Sequence, residues 1–118
     1  MARSVLIVDD HPSFRASARA MLESAGFDVV AESADGTSAL ARVDELEPDV
    51  VLLDVQLPDM SGFDVCDALR RRNGASPLVV LVSSRDECDY GDLVSSCGAR
   101  GFLPKAELSG EAVASLLA

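Results

Sequence analysis

Short, unbroken apolar runs alternate with amphipathic segments along the whole chain, and this alternation limits the possible folds more than any other feature. Strands buried on both faces read as continuous apolar runs, because neither face meets water. The segments between the runs space their apolar residues as one face of a helix does. Strands that alternate with helices build a parallel sheet covered on both faces. The sequence therefore predicts an α/β fold, with a five-stranded parallel sheet flanked by five helices.

Element positions follow from the same pattern, with Pro12 in the first turn of the first helix and Gly26 just past its end. The segment 85–97 contains Tyr90, Gly91 and paired serines, which form helices poorly, so we expect a frayed helix there. The strands are predicted at residues 5–8, 29–32, 49–54, 78–83 and 101–103, and the helices at about 12–25, 37–46, 62–72, 85–97 and 108–117.

A length of 118 residues suits one domain with its own core, so a single domain is predicted over residues 1–118. No apolar run approaches the roughly 18 residues of a membrane helix, and no basic-then-apolar leader opens the chain. Three cysteines without CxxC spacing indicate neither a disulfide framework nor a zinc site. We therefore expect a cytoplasmic protein with no membrane partner.

The net charge of −10 argues against direct binding to nucleic acid or to an anionic membrane surface, since phosphate binding needs clustered cations. The one basic cluster, Arg70 to Arg72, ends a predicted helix. Cations at that position stabilise the helix dipole, which explains the cluster better than a nucleic-acid patch does. No nucleic-acid partner is predicted for this chain itself.

Polar residues follow the predicted strands at the point where each strand ends. Carboxylates follow the first and third strands, a hydroxyl ends the fourth, and the fifth leads to the only lysine of the chain. Open parallel sheets bind ligands outside the carboxyl ends of their strands, where strand order reverses. The residues expected to share this edge are Asp9, Asp10, Asp54, Ser83 and Lys105.

Three carboxylates at one edge repel one another by about 1–4 kcal/mol per pair, and a proton or a cation must relieve that repulsion. Oxygen ligands with room for water suit Mg²⁺. Zinc is disfavoured because His11 is the only imidazole and no thiol is expected at this edge. The plainer alternative is a group of solvated loop acids that binds no ion.

A carboxylate beside Mg²⁺ can act as a nucleophile and accept a phosphoryl group as an acyl phosphate. Asp54 is the candidate acceptor. Lys105 would pair with the phosphoryl oxygens, and Ser83 would donate a hydrogen bond once that group is present.

Four motifs in this chain are each weak alone but highly specific together. They are Val8-Asp9-Asp10-His11-Pro12, the run from Asp49 to Pro58, the pair Ser61-Gly62, and the run from Gly98 to Lys105. Through them the chain resembles, over its whole length, the receiver domain of two-component response regulators, the CheY-like family. The resemblance implies a doubly wound CheY/flavodoxin-like sheet with strand order 2-1-3-4-5.

The resemblance also implies a Mg²⁺-dependent receiver that takes a phosphoryl group from a histidine kinase or a phosphotransfer protein onto Asp54. In such a receiver the metal would be held by Asp9, Asp10, Asp54 and the backbone carbonyl of Gln56.

Ser83 and Phe102 would form a switch pair. Phosphorylation would move them and alter the face made by the helix within 85–97, the fifth strand and the last helix. Ser83 stands where threonine is more frequent, and Phe102 lacks a tyrosine hydroxyl. An aromatic ring fixed in the core is the alternative interpretation of Phe102.

The Asp-Asp-His-Pro start is common in regulators with LuxR-type output domains, and His11 itself is interpreted as a helix-start residue. A homodimer and a C-terminal or separate output domain are further partners that the family resemblance implies. Exposed positions early in the first helix, namely Ser13, Arg15 and Ala16, are expected to govern the choice of kinase.

Two other functions remain open. Ala106 follows Lys105 where many receivers have proline, which favours slightly a phosphorylation-independent interaction module with the receiver fold. A phosphatase with an aspartyl nucleophile would need a second carboxylate as general acid, which Asp54-Val55-Gln56 lacks. We therefore expect a phosphoacceptor that assists its own phosphorylation and dephosphorylation, and no multiple-turnover enzyme.

Overall fold

A computed structural model describes residues 3–72, 76–84 and 97–117 of the chain. Residues 85–96, which carry nearly all of the predicted fourth helix, lie outside the described residues, so that helix stays a prediction. The strands are β1 (Ser4–Val8), β2 (Asp28–Ser33), β3 (Val50–Asp54), β4 (Leu78–Ser83) and β5 (Gly101–Pro104). The helices are α1 (Pro12–Ser24), α2 (Gly36–Leu46), α3 (Gly62–Arg70) and α4 (Gly110–Leu117), with a 3₁₀ turn at Lys105–Glu107.

The five strands form one parallel sheet in the order β2-β1-β3-β4-β5, which confirms the predicted fold class. From β1 the chain steps outward to β2 and then returns past β1 to add β3, β4 and β5. Strand order therefore reverses between β1 and β3, and a crevice opens beyond the carboxyl ends of these neighbours. Val8 and Leu53 pair at the end of this ladder, so the residues that follow them start side by side.

Helices cover both faces of the sheet, and alternate residues of each strand contribute to two separate cores. In β1, Leu6 and Val8 pack with residues of α2 and α3, whereas Val5 and Ile7 pack with residues of α1 and α4. All four side chains are fully buried. This burial on both faces is the physical reason why the strands lack a polar face in the sequence.

Residues at the helix ends define where α1 begins and ends and where α3 begins. His11 is the N-cap of α1 and Pro12 occupies its first helical position, as predicted. Gly26 follows α1 with a φ of 95°, a left-handed conformation that glycine adopts without strain. At α3, the Ser61 hydroxyl accepts from the Asp64 amide at 3.1 Å and the Asp64 carboxylate accepts from the Ser61 amide at 3.2 Å. These reciprocal bonds fix the point where α3 begins.

The last helix begins two residues later than predicted. The amide of Leu108 closes the 3₁₀ turn by donating to the carbonyl of Lys105 at 3.3 Å, and Leu108 itself is buried. The hydroxyl of Ser109 then accepts from the amide of Ala112 at 3.0 Å, as an N-cap side chain does. Residue 108 therefore belongs to the turn, which periodicity alone could not separate from the helix.

The basic cluster lies where α3 ends and is occupied by ion pairs. Arg70 and Arg71 contact Asp67 at 3.0 and 3.1 Å, and Arg72 contacts Asp44 at 2.9 Å. These contacts agree with the interpretation of the cluster as a helix C-terminus. No helix within the described ranges is long and apolar enough to cross a membrane.

Candidate functional site

The carboxyl ends of the strands meet at an open pocket of about 310 Å³. Asp9 follows β1 directly, Asp54 is the last residue of β3, Ser83 is the last residue of β4, and Lys105 follows β5. The ammonium of Lys105 lies 2.6 Å from Asp9 Oδ2 and 3.5 Å from Asp54 Oδ2. The pocket is lined by Asp10, His11, Asp54, Gln56, Leu57, Pro58, Ser84 and Lys105.

Asp9 is fully buried beneath this pocket. Its Oδ1 accepts from the amide of His11 at 2.7 Å, and its Oδ2 forms an ion pair with the Lys105 ammonium at 2.6 Å. Burial by itself would raise the pKa of Asp9. The hydrogen bonds from Lys105 and His11 and the positive charge of Lys105 outweigh burial, so the pKa lies below its ordinary value. Asp9 is therefore an ionised carboxylate, held on one oxygen by the His11 amide and on the other by the Lys105 ammonium.

Asp54 lies beside it with only 3% of its surface exposed. Burial and the negative charge of Asp9 raise the pKa of Asp54 to about 6, although Lys105 and the amide of Gln56 act in the opposite direction. That amide donates to Asp54 Oδ1 at 3.2 Å. The protein alone therefore neutralises the negative charge of ionised Asp54 poorly, and a cation in the pocket would stabilise the ionised form.

Asp10 and His11 line the solvent side of the pocket. The Nδ1 atom of His11 lies 3.0 Å from Asp9 Oδ1 and 3.1 Å from Asp10 Oδ1. One ligand atom from each of Asp9, Asp10, His11 and Asp54 falls within 4.8 Å of the others. The imidazole therefore belongs to the pocket as well as to the start of α1, whereas the sequence predicts only its place at the start of the helix.

The donor set fits Mg²⁺. It offers carboxylate oxygens from three side chains and an open side where water can complete the shell. Mg²⁺ would relieve the mutual repulsion that raises the pKa of Asp54.

Two residues that support the site were missed by the sequence analysis. The ring of Phe14 lies 4.3 Å below the Lys105 ammonium, a cation–π distance. The guanidinium of Arg15 donates to the carbonyl of Asp9 and pairs with Glu32 at 3.0 Å. Its side chain is only 18% exposed, so Arg15 is not the freely exposed position that the sequence analysis expected.

Ser83 and Phe102 are both buried in this structure. Ser83 ends β4, and its neighbour Ser84 lines the pocket. Phe102 pairs in register with Leu81 and packs in the core on the side of α2 and α3. The predicted movement of this pair on phosphorylation stays a prediction.

The segment 55–61 follows Asp54 and closes back on itself at its base. Gln56 and Ser61 form an antiparallel bridge, and the amide of Gly62 donates to the carbonyl of Val55 at 2.6 Å. A Cβ atom on Gly62 would collide with the carbonyl oxygen of Asp54. Glycine is therefore required for α3 to begin this close to the end of β3.

Comparisons with known proteins agree with this architecture. The family model described as "Response regulator receiver domain" matches residues 5–116. The chain is 36% identical to the DNA-binding transcriptional activator EvgA of Escherichia coli, over 88% of this chain and 50% of that protein. It is 42% identical to the nitrate/nitrite response regulator protein NarP of Escherichia coli, over 86% of this chain and 47% of that protein.

Among solved structures, the signal receiver domain of a NarL response regulator from Mycobacterium tuberculosis superposes with a TM-score of 0.88. It is 36% identical in sequence, and the match covers 98% of this chain and 94% of that one. The chain spans about half the length of the curated relatives it matches.

Proposed function

Because this chain belongs to the response regulator receiver domain family, we propose that it takes a phosphoryl group from a histidine kinase or a phosphotransfer protein onto Asp54. The observation that carries the proposal is the environment of that carboxylate. Asp54 ends β3 at the mouth of the pocket, beside the only lysine of the chain and next to a second buried carboxylate. A nucleophile needs this combination of access, a neutralising cation and fixed geometry to attack phosphorus in line.

Mg²⁺ is the proposed cofactor, held by Asp9, Asp10, Asp54 and the backbone carbonyl of Gln56. When bound, it would neutralise charge on the phosphoryl oxygens and on the carboxylates around them. Support comes from the clustered ligand atoms of the three aspartates and from the amide of Gln56, which already donates to Asp54.

Lys105 is proposed to pair with the phosphoryl oxygens from the side of β5. Its contact with Asp54 Oδ2 at 3.5 Å and the Phe14 ring beneath its ammonium hold it at the pocket. Ser83 is proposed to donate its hydroxyl hydrogen to the same group. Phe102 would then respond and alter the predicted face of which β5 and α4 are the described part; the helix expected within 85–97 lies almost wholly outside the described residues.

The main alternative is a phosphorylation-independent interaction module with the receiver fold. The burial of Phe102 in this structure and the presence of Ala106 after Lys105 are the observations that favour it. The two functions differ in their response to Mg²⁺ and beryllofluoride, a phosphoryl mimic. A phosphorylation-controlled receiver changes its affinity for its partner when both are added, whereas an independent module does not.

We propose a single-turnover phosphoacceptor and not a multiple-turnover phosphatase, because Gln56 stands where a general-acid carboxylate would be needed. Residues 1–118 are proposed to form one receiver domain, in keeping with the family match over 5–116 and the single sheet. A C-terminal or separate output domain, a homodimer and a cytoplasmic location are part of the proposal. The net charge of −10 leaves direct nucleic-acid binding to such an output domain.

The test is incubation with a small phosphodonor and Mg²⁺, followed by intact-protein mass spectrometry. Wild-type protein should gain one phosphoryl group, and Asp54→Asn should gain none. Asp28→Asn, which removes an exposed carboxylate at the opposite end of the sheet, is the matched control and should be modified as wild type is. Modification of Asp54→Asn, or modification of wild type in excess chelator, would overturn the assignment.

A further inference from the structure

The segment 55–61, which we call the β3–α3 loop, is fastened at its tip as well as at its base. At the tip, the carboxylate of Asp59 accepts from the amide of Gly36 at 2.8 Å, from the amide of Thr37 at 3.0 Å and from the hydroxyl of Thr37 at 2.7 Å. The loop and the first turn of α2 are therefore joined by three hydrogen bonds to one side chain. They lie more than 20 residues apart in sequence, so this is a tertiary contact.

Close packing reinforces this contact. A Cβ atom on Gly36 would lie 2.6 Å from the sulfur of Met60, which means that the loop tip rests directly on the α2 backbone. Leu57, from the middle of the loop, packs against the core on the α2–α3 side. The position of the loop is therefore coupled to the position of α2.

Asp59 is not needed as the ordinary cap of α2. That helix already has its own N-cap, Asp35, whose carboxylate accepts from the amide of Ser38 at 2.8 Å. Asp59 bonds different amides and comes from a segment whose other end carries the proposed metal ligand. Bonds from Thr37 and Gly36 lower the pKa of Asp59 to about 2, so the contact is made by an ionised carboxylate at any pH near neutral.

We propose that Asp59 is a positioning residue that holds the β3–α3 loop, and with it the backbone of Gln56, in the arrangement that Mg²⁺ requires. This inference rests on the proposed function, since it takes the Gln56 carbonyl as a metal ligand. The base of the loop is one residue from Asp54. The amide of Gln56 donates to Asp54, and the pairing of Gln56 with Ser61 is closed by the amide of Gly62, which donates to the carbonyl of Val55. These bonds hold the amide of Gln56 but not its carbonyl, so release of the tip would widen the range of positions that this carbonyl can take.

The competing explanation is that Asp59 only stabilises the start of α2. Asp35 supplies the control, because Asp35→Ala removes a carboxylate cap from the same helix terminus without touching the loop. If Asp59 acts through the helix alone, Asp35→Ala and Asp59→Ala have equal effects on metal affinity. If it acts through the loop, only Asp59→Ala weakens Mg²⁺ binding.

The first measurement is the Mg²⁺ dissociation constant by isothermal titration calorimetry, for wild type and for both variants. We expect a roughly tenfold weaker affinity in Asp59→Ala, the size of effect typical for residues that orient a metal ligand, and little change in Asp35→Ala. Asp59→Asn keeps an acceptor oxygen and should recover most of the loss. Equal affinities in wild type and Asp59→Ala would overturn the inference.

A second measurement needs no substitution and so does not depend on the stability of a variant. In wild type, Mg²⁺ should shift the amide resonances of Gly36 and Thr37, because these groups bond the loop, whereas the amide of Ser38, bonded to Asp35, should move much less. Equal or absent shifts at all three amides contradict the inference. Failure of wild type to bind Mg²⁺ at all contradicts the proposed function instead, so the two failures are distinguishable.

Discussion

Two buried carboxylates share one ammonium at the pocket, and they respond to it differently. Asp9 receives hydrogen bonds from His11 and lies 2.6 Å from Lys105, and its pKa is lowered. Burial and the negative charge of ionised Asp9 raise the pKa of Asp54 to about 6, and the same ammonium, 3.5 Å away, offsets this only in part. Of these two carboxylates, the proposed phosphoacceptor is therefore the one whose negative charge the protein neutralises less. Added positive charge should stabilise its ionised form more than that of Asp9.

The raised pKa of Asp54 predicts a pH-dependent cost in stability for the metal-free protein. Between pH 3.8 and about 6 the folded state keeps a proton that the unfolded chain has released, so stability falls as pH rises through this window and stays lower above it. Asp54→Asn cannot ionise, and in chelator at pH 8 it should exceed wild type in free energy of unfolding by up to about 3 kcal/mol.

That difference should shrink towards zero near pH 4, where wild-type Asp54 is protonated in the folded state. Urea denaturation at the two pH values measures it. Asp28→Asn, at an exposed carboxylate, should show no comparable change between them. Equal stability of Asp54→Asn and wild type at pH 8 would show that the pKa of Asp54 is not raised.

At the scale of elements, the site depends on how closely α3 approaches the end of β3. Gly62 is the first residue of α3 and lies close to the carbonyl of Asp54 and the Cα of Val55. The capping box at Ser61 fixes the residue at which the helix begins. The backbone that carries the acceptor is thus held from one side by its own strand and from the other by the start of the next helix.

Gly62→Ala should test this contact. The added methyl group meets backbone atoms, which cannot move aside alone, so we expect a loss of about 1–3 kcal/mol in stability and slower phosphorylation of Asp54. Gly101→Ala is the matched control, because its methyl group meets the end of the flexible Leu116 side chain. It should cost less and leave the phosphorylation rate nearly unchanged. Equal effects of the two substitutions on that rate would contradict the prediction.

Local pattern was sufficient to predict the sheet and the residues at its carboxyl ends, because unbroken apolar runs identify buried strands and the residue after each run must lie at the rim. Local pattern could not predict the residues that hold these side chains in place. Phe14 and Arg15 contact Lys105 and Asp9 from α1, and Asp59 fastens the loop after Asp54 to α2, all through contacts between distant parts of the chain. The direction of such side chains depends on helix packing, which sequence spacing does not encode.

For the molecule as a whole, a net charge of −10 is combined with a cluster of three carboxylates at one pocket. Like charges in a compact state repel one another, and a bound divalent cation lowers that repulsion where it is most concentrated. Metal binding and folding stability should therefore be linked.

Mg²⁺ should raise the thermal midpoint of wild type, by an amount equivalent to about 2.7 kcal/mol when its concentration is 100 times the dissociation constant. The gain should be much smaller in Asp10→Asn, which removes one proposed ligand at a side chain that is 36% exposed and tolerant of substitution. Differential scanning calorimetry at matched ionic strength with NaCl separates binding from screening. Equal gains in the two proteins would exclude Asp10 as a ligand.

Lys105 follows β5 at one border of the sheet, yet its ammonium contacts Asp54, at the end of β3, and Asp9, directly after β1. Neighbouring strands lie about 4.8 Å apart, so this one side chain spans the position of β4 and links the exits of three strands, β5, β3 and β1. A contact of that span can transmit a displacement in both directions, from β5 to Asp54 and from Asp54 to β5. We therefore expect a displacement of the β5 border to be transmitted to Asp54, and a new negative group on Asp54 to draw Lys105 and the end of β5 towards it.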